Sequence, residues 1–334
     1  MNNSPIFLLG SERSGTNLLR TRLDNHSNIA GPVPPHILKW LYNKEPYYGD
    51  LRKDKNFEVL VDDLINIIKI HLAPWEIKFN IENIKTNISP EDRSLMSLFE
   101  YVFDKYTSIK NKKRWFCKDN NLFNYAWEIK DYFPNAKFIY LVRDPRDVCL
   151  SNFKRDTGPS TAYNFALQWK EEQNKCINLY TEESFKDRII LIKYEDVLSS
   201  PEKIFKNICK FIGEDFESEM LQGKKRKEDN KTKQWKNISK NIMKNNKKKY
   251  KGKLTKKQIK IIEKITYKEM KFLNYKLDFI NNSYNTTLFK EYYYKVIDYI
   301  KRKYNFKFKI KDREYKIRMK RKNLRRKING RLLE

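Results

Sequence analysis

Four short, nearly continuous apolar runs stand out along the chain: Ile6–Leu9, Arg114–Cys117, Phe138–Val142 and Ile189–Tyr194. None alternates apolar with polar positions, so each predicts a strand covered on both faces, as in a parallel sheet. Between them, apolar residues recur at helical spacing over Thr16–Asn25, Phe57–Leu72, Ser94–Tyr106, Tyr125–Tyr132, Pro145–Lys154, Ala162–Tyr180, Pro201–Ile212 and Thr255–Phe272. Strands alternating with helices predict an α/β fold of three layers, a mostly parallel central sheet flanked by helices. Gly31-Pro32-Val33-Pro34-Pro35 breaks this rhythm, and Tyr42, Tyr47 and Tyr48 follow it. Those residues predict a loop over the C-terminal edge of the sheet, where ligands bind in such folds. Residues 223–253 are rich in Lys and Asn and read as irregular. The periodic pattern fills residues 1–275; residues 276–334 read as a basic, helical, tail-like extension.

Composition narrows the partners. The 334 residues carry 71 Lys or Arg against 42 Asp or Glu, a formal charge of +29. Fifteen of the basic residues and only two acids fall within residues 301–330. Such a chain favours anionic ligands, although most surface lysines are simply solvated. Cys117, Cys149, Cys176 and Cys209 form no CxxC pair and match no metal-ligand spacing. Cys117 and Cys149, in apolar surroundings, predict core thiols, and the set predicts a reducing compartment and no metal. The N-terminus lacks a basic segment leading into a long apolar run, and no stretch approaches the ~20 apolar residues of a membrane span. A soluble cytoplasmic protein is expected.

The first run flows into Gly10-Ser11-Glu12-Arg13-Ser14-Gly15-Thr16-Asn17. Gly10 permits a tight turn, and Gly15 precedes a helix whose first N–H groups lack intrahelical partners. An anion fits there, drawn also by the helix dipole. Arg13 adds a full charge, while Thr16 and Asn17 add donors. The two glycines have Walker A spacing, but Thr16 stands where the lysine belongs and Asn17 replaces the magnesium-binding hydroxyl. The loop is therefore phosphate-binding in shape and unsuited to Mg-nucleotide hydrolysis.

The third run ends in Arg143-Asp144-Pro145-Arg146-Asp147. Asp144 suits an N-cap and Pro145 the first helical turn. Ser151 and Arg155 are four apart, so they are expected to share one helix face. Arg143, Ser151 and Arg155 are then candidates for a second phosphate. Two such sites on one sheet suit a ligand with phosphates at both ends, such as 3′-phosphoadenosine-5′-phosphosulfate (PAPS).

The loop from Ser11 to Asn17, the segment Val142–Asp147 through Ser151 and Arg155, and Lys193-Tyr194-Glu195-Asp196-Val197-Leu198 followed by Pro201 together resemble PAPS-dependent sulfotransferases. The resemblance is to bacterial and tyrosylprotein-sulfotransferase-like members. It extends more weakly through Gln234-Trp235-Lys236 and Asn245–Tyr250 to about Tyr275. It implies a P-loop-like fold, PAPS as co-substrate, PAP as product and no required metal. It also implies Tyr194 near the nucleotide and a sulfate-contacting lysine at Lys118.

Sulfuryl transfer needs a donor to the leaving oxygen, a clamp on the sulfuryl group and a base for the acceptor. Arg13 and the loop N–H groups suit the leaving 5′-phosphate, and Lys118, at the end of the second strand, is assigned to the bridging oxygen. For the base, His36 follows the proline-rich turn and has the right intrinsic acidity, with Glu12 and Asp119 as alternatives. His26 is expected to cap the first helix and His71 to lie within a helical run. The acceptor expected is a hydroxyl or amine of a carbohydrate, then of a lipid-linked glycan, then a small alcohol or protein tyrosine, with peripheral contact at the inner membrane face through the basic tail. A P-loop-like nucleotide kinase, or a non-enzymatic nucleic-acid or membrane binder, is the rival class. The kinase would need the Walker lysine that this chain lacks, a nucleic-acid binder has no need for two strand-end phosphate sites, and no specific nucleic acid is expected.

Overall fold

The computed structural model describes residues 4–155, 158–227, 240–279, 288–308 and 312–331. In chain order the elements are β1 (Ile6–Leu9), α1 (Thr16–Leu23), β2 (Ile29–Ala30), α2 (Ile37–Leu41), α3 (Asp54–Lys69), α4 (Ile81–Asn87), α5 (Leu95–Ile109), β3 (Arg114–Cys117), α6 (Ala126–Tyr132), β4 (Lys137–Val142), α7 (Pro145–Asn152), α8 (Ala162–Thr181), β5 (Ile189–Lys193), α9 (Tyr194–Ser199), α10 (Pro201–Ile212), α11 (Lys256–Ile265), α12 (Tyr267–Phe272), α13 (Leu288–Phe308) and α14 (Asp312–Arg331). The strands form one sheet in the order β2-β3-β1-β4-β5. Every pairing is parallel, with Phe7 opposite Phe138 and Ile6 opposite Phe116.

The absence of alternation in the strand sequences has a direct cause: both faces of the sheet are buried. Phe7, Leu9, Phe138, Tyr140 and Val142 join one core with Phe57, Phe99 and Trp169 from α3, α5 and α8. Ile6, Leu8, Ile139 and Leu141 join a second core with Leu19, Val197 and Phe205 from α1, α9 and α10. The three-layer α/β architecture follows, with helices on both sides of a parallel sheet.

Local differences from the sequence reading have identifiable reasons. The two-residue strand β2 and the short helix α4 carry too little pattern to be read from sequence. Residues 31–36 lie outside helix and strand, as their prolines lead one to expect, but the segment then forms α2 and a 3-10 helix over Tyr42–Tyr48 instead of remaining a loop. Tyr194 opens α9 rather than closing β5, and α7 stops at Asn152. The helix expected over Thr255–Phe272 is broken at Thr266, so α11 and α12 are separate. His71 lies beyond the end of α3, not within it. His26 follows α1, with its N–H donating to the Leu23 carbonyl. Gln234, Trp235 and Lys236 lie outside the described residues.

Within the basic C-terminal stretch, α13 and α14 pack against the rest of the chain. Ile328 and Leu324 of α14 are buried in the larger core. Asp298 of α13 is also buried and accepts a 2.7 Å hydrogen bond from Ser160 Oγ. No helix among the described residues is long and apolar enough to cross a membrane.

The topology positions the site. From β1 the chain moves to one side of the sheet, towards β2; from β4 it moves to the other, towards β5. The loops after β1 and β4 therefore diverge and leave a crevice at the carboxyl ends of the strands.

Candidate active site

The loop after β1 holds an unusual backbone. Gly10, Arg13 and Gly15 have φ of 151°, 70° and 96°. A Cβ on Gly15 would lie 2.3 Å from the Tyr194 ring, and one on Gly10 would lie 2.4 Å from the Leu141 carbonyl oxygen. Both positions thus require glycine, for backbone conformation and for close approach. Gly15 is the N-cap of α1 but brings no side chain to satisfy its first N–H groups. Those donors and the helix dipole are left for an anion. The buried Ser14 hydroxyl has no hydrogen-bond partner among the described residues.

The second segment folds as its sequence dictates. The Asp144 carboxylate caps α7 by accepting from the Arg146 N–H, and Pro145 occupies the first turn. Arg143 thereby stays at the strand end. Its guanidinium stacks on Tyr194, 4.4 Å from the ring centroid, and donates to the Arg13 carbonyl at 3.3 Å and to the Asn246 carbonyl at 3.1 Å. Asp147 is 3.9 Å away, too far to neutralise it by a direct hydrogen bond. Arg143 Nε is buried without a partner among the described residues.

The two segments meet. Arg13 Nε donates to Ser151 Oγ at 3.1 Å, which joins the loop after β1 to α7. A cleft of about 530 Å³ opens between them, lined among others by Arg13, Thr16, Asn17, Arg143, Ser151 and Tyr194. Arg155 lies past the end of α7, not on a shared helical face with Ser151. It pairs with Glu12, and Lys154 reaches the cleft in its place. Ser11 turns inward, accepting from Gln173 Nε2 at 2.6 Å, and so fixes the loop instead of lining the cleft.

On the other side of the loop, Lys118 follows β3. It is nearly buried and donates to Asn120 Oδ1 at 2.8 Å, while Asn120 Nδ2 donates to Glu12 Oε1 at 2.5 Å. Burial pulls the Lys118 ammonium down to about 8, against the opposing pull of Glu12 and Asp119. Burial alone would push the Glu12 carboxyl up, but Arg155 and Lys118 outweigh it and hold Glu12 below the usual carboxylate range. Burial also pulls Arg13 down to about 10, helped by Arg155, and this leaves it charged at neutral pH.

His36 sits in the left-handed region at φ 67°, immediately before α2. Its backbone N–H donates to Asp119 Oδ1 at 3.0 Å, and its ring Nδ1 is 3.5 Å from the same oxygen. Burial, reinforced by Lys118 and Arg321, holds the imidazole well below its usual range, so it is neutral at pH 7. Burial raises the Asp119 carboxyl to about 6. The ring of His71 lies 6.3 Å away, centroid to centroid.

Sequence reasoning missed the cover of the cleft. Asn241, Ile242, Met243, Asn246 and Lys249 line it, from the stretch read only as irregular. Asn246 Nδ2 donates to the Tyr194 hydroxyl at 2.7 Å and thereby locks this cover to α9. The single signal was the weak resemblance over Asn245–Tyr250. Among the described residues no cluster of side chains is arranged to hold a metal ion.

Comparison with known proteins agrees with this geometry. A family model described as "Sulfotransferase family" matches residues 5–218, which include all five strands and both anion-binding segments. The chain is similar to an "Uncharacterized protein" of Aquifex aeolicus (strain VF5), 26% identical over 249 residues, covering 71% of this chain and 29% of that protein. It is also similar to a protein-tyrosine sulfotransferase of Drosophila melanogaster, 26% identical over 215 residues, covering 62% of this chain and 37% of that one. The chain thus matches well under half the length of either relative. Among solved structures, the sulfotransferase domain from the curacin biosynthetic pathway superposes with a TM-score of 0.56 at 22% identity, over 82% of this chain and 98% of that domain. The sulfotransferase domain of the Synechococcus PCC 7002 olefin synthase gives 0.55 at 21%, over 82% and 96%. These likenesses establish the P-loop-like fold. With the family model spanning most of the sheet domain, the chain belongs to the sulfotransferase family.

Proposed function

We propose that the chain transfers a sulfuryl group from PAPS to a hydroxyl of a carbohydrate or glycolipid acceptor and releases PAP. The observation that carries this reading is the junction of the two anion-binding segments, with Arg13 Nε 3.1 Å from Ser151 Oγ at one shared cleft. One end of the cleft has the free N–H groups of α1 with Arg13, Thr16 and Asn17 for the 5′-phosphosulfate. The other has Arg143, Ser151 and Lys249 for the 3′-phosphate, with Ile242, Met243 and Tyr194 as apolar surface for the base. The residues present fit the bisphosphorylated nucleotide. Arg143→Ala is therefore expected to weaken PAP binding by about tenfold or more, while 5′-AMP binding changes little. Calorimetry with both nucleotides checks this; equal losses would refute the 3′-phosphate role.

In the reaction the bond between sulfur and the 5′-phosphate oxygen breaks and a bond from the acceptor oxygen to sulfur forms. The phosphate oxygen keeps the electron pair, and the acceptor proton passes to the base. Arg13 and the loop N–H groups stabilise the charge growing on the leaving phosphate. Lys118 donates to the bridging oxygen. His36, neutral and held by Asp119, takes the acceptor proton. Asp119 serves as orienter, and Glu12, ionised against Arg155, holds the loop.

Lys118 gives this scheme a pH signature. It works as an ammonium, and its value of about 8 means that the charge is lost as pH rises through that point. kcat/KM, which reports the free enzyme, should fall above pH 8 with a one-proton slope. Lys118→Arg should move that limb beyond the measurable range, because a guanidinium stays charged. An unchanged limb in the variant would assign it to another group.

Residues 1–275 are taken as the transferase unit and 276–334 as an accessory that extends it. All four cysteines are buried and unpaired, which supports a reducing, cytoplasmic setting. Peripheral membrane contact falls to α13, whose Tyr292, Tyr299, Ile300 and Tyr304 are 56–68% exposed among lysines. Tyr292→Ser with Tyr299→Ser should weaken sedimentation with phosphatidylglycerol vesicles several-fold; undiminished binding would remove the membrane from the scheme. Deletion of the whole extension is a poorer test, since it would uncover the core around Ile328.

A further inference from the structure

The C-terminal helix reaches the acceptor side of the proposed centre. Ile328 and Leu324 seat α14 in the larger core, and Arg331 pairs with Asp63 of α3. Lys44, in the turn after α2, hydrogen-bonds Asn329. These contacts bring Arg321 over the indole of Trp40, 4.9 Å from the ring centroid. Trp40 is four residues after His36, on the helix that His36 begins.

Among the described residues the Arg321 guanidinium makes no hydrogen bond and no ion pair within 4.0 Å. Its neighbours are the Trp40 ring, Arg318 and, through space, Asp119. Its charge is felt at His36 and His71. Lys118 and Lys39 act on His36 in the same sense. Against these three cations stands Asp119, whose carboxylate is 1% exposed and already engaged with the His36 backbone. The surroundings of His36 therefore carry an excess of positive charge, and one member of that excess is a planar fork with its donors unspent. An aromatic pair stands near the same carboxylate: Tyr42 and Tyr125, 5.2 Å between ring centroids, the latter sensing the Asp119 charge and both sensing Glu128.

We infer that Arg321 is an acceptor-selecting residue and that the acceptor is an anionic glycan, a sugar chain whose uronate carboxylate pairs with the Arg321 fork while a neighbouring hydroxyl faces His36. A guanidinium matches a carboxylate with two parallel hydrogen bonds, and its stacking on Trp40 fixes the plane of the fork. The Tyr42–Tyr125 pair supplies the apolar face on which a sugar ring can rest. A neutral acceptor would leave Arg321 desolvated and unpaired, which selects against it. The inference rests on the sulfuryl-transfer reading above, and it adds the charge of the acceptor and the part of the chain that reads it.

The test uses the full chain, radiolabelled PAPS, and unsulfated chondroitin, hyaluronan and heparosan, each beside its carboxyl-reduced counterpart. The wild type is expected to prefer the carboxylated member of at least one pair by about tenfold or more in kcat/KM. Arg321→Gln should erase that preference, mainly through KM, and Arg321→Lys should restore part of it. PAP affinity, measured by calorimetry on each variant, should stay at the wild-type value and so report an intact donor site and fold. Equal use of both members, or an unaltered preference in Arg321→Gln, overturns the inference. Absence of transfer to every carboxylated glycan while PAP still binds also overturns it, as does transfer confined to a tyrosine peptide flanked by glutamates. Failure of the wild type to bind PAP would instead overturn the donor-site reading.

Discussion

Replacing His36 with alanine is expected to cut the rate of sulfuryl transfer by about 10²–10⁴-fold, the usual contribution of a general base. PAP binding should persist, because His36 stands beside Lys118 and Asp119 and is not among the residues lining the nucleotide cleft. The expectation has a structural basis. Residue 36 is held at φ 67°, a conformation that costs a non-glycine residue energy, and the Asp119 carboxylate secures it through the backbone N–H. The same carboxylate oxygen lies 3.5 Å from Nδ1, close enough to stabilise the imidazolium once a proton is taken up. Because burial and the surrounding cations hold the imidazole neutral, the acid limb of kcat/KM should lie below the ordinary histidine range. That limb should vanish in the alanine variant. Parallel single-turnover and calorimetric measurements separate the outcomes: retained turnover moves the base to another residue, and lost PAP binding marks a structural defect.

The second large effect is at Arg13. Its removal should cost about 2–4 kcal/mol of transition-state stabilisation, or roughly 10²–10³ in rate, as for loss of an oxyanion-hole donor. Arg13 projects from a left-handed backbone position, and its Nε is bound to Ser151. The side chain thus stands between the sites proposed for the leaving 5′-phosphate and for the 3′-phosphate. Arg13→Ala should lower kcat strongly and also weaken PAP binding, whereas Ser151→Ala should affect binding more than turnover. Near-normal kcat in Arg13→Ala would remove it from the catalytic scheme. An Arg13→Lys enzyme should recover part of the rate, since the charge returns without the fork that reaches Ser151.

Much of this was legible in the chain itself. The strands at Ile6, Arg114, Phe138 and Ile189 announced themselves because both faces of a parallel sheet are largely dry and most of their positions are apolar. The loop from Gly10 to Asn17 was readable because its glycines are required by backbone geometry, and the Asp144-Pro145 helix start because capping chemistry is local. Properties confined to a few consecutive residues survive the passage from sequence to structure.

Other features depended on long-range packing and left no local trace. Arg155 and Lys154 differ by one residue, yet one pairs with Glu12 and the other reaches the cleft, because α7 ends at Asn152. The cover supplied by Asn246 and Lys249 comes from a stretch with no periodicity, held by bonds to Arg143 and Tyr194 that are about 50 to 100 residues away in sequence.

The sequence by itself determined the parallel sheet, the glycine loop after β1, the capped helix start after β4 and the basic charge balance, since each is set by composition or by residues adjacent in the chain. The tertiary structure alone decided that the two strand ends share one cleft, that His36 meets Asp119, and that the basic C-terminal stretch folds back to bring Arg321 towards them. Those facts follow from the order of strands in the sheet and from the burial of Leu324 and Ile328, and a one-dimensional pattern cannot encode which distant surfaces exclude water together.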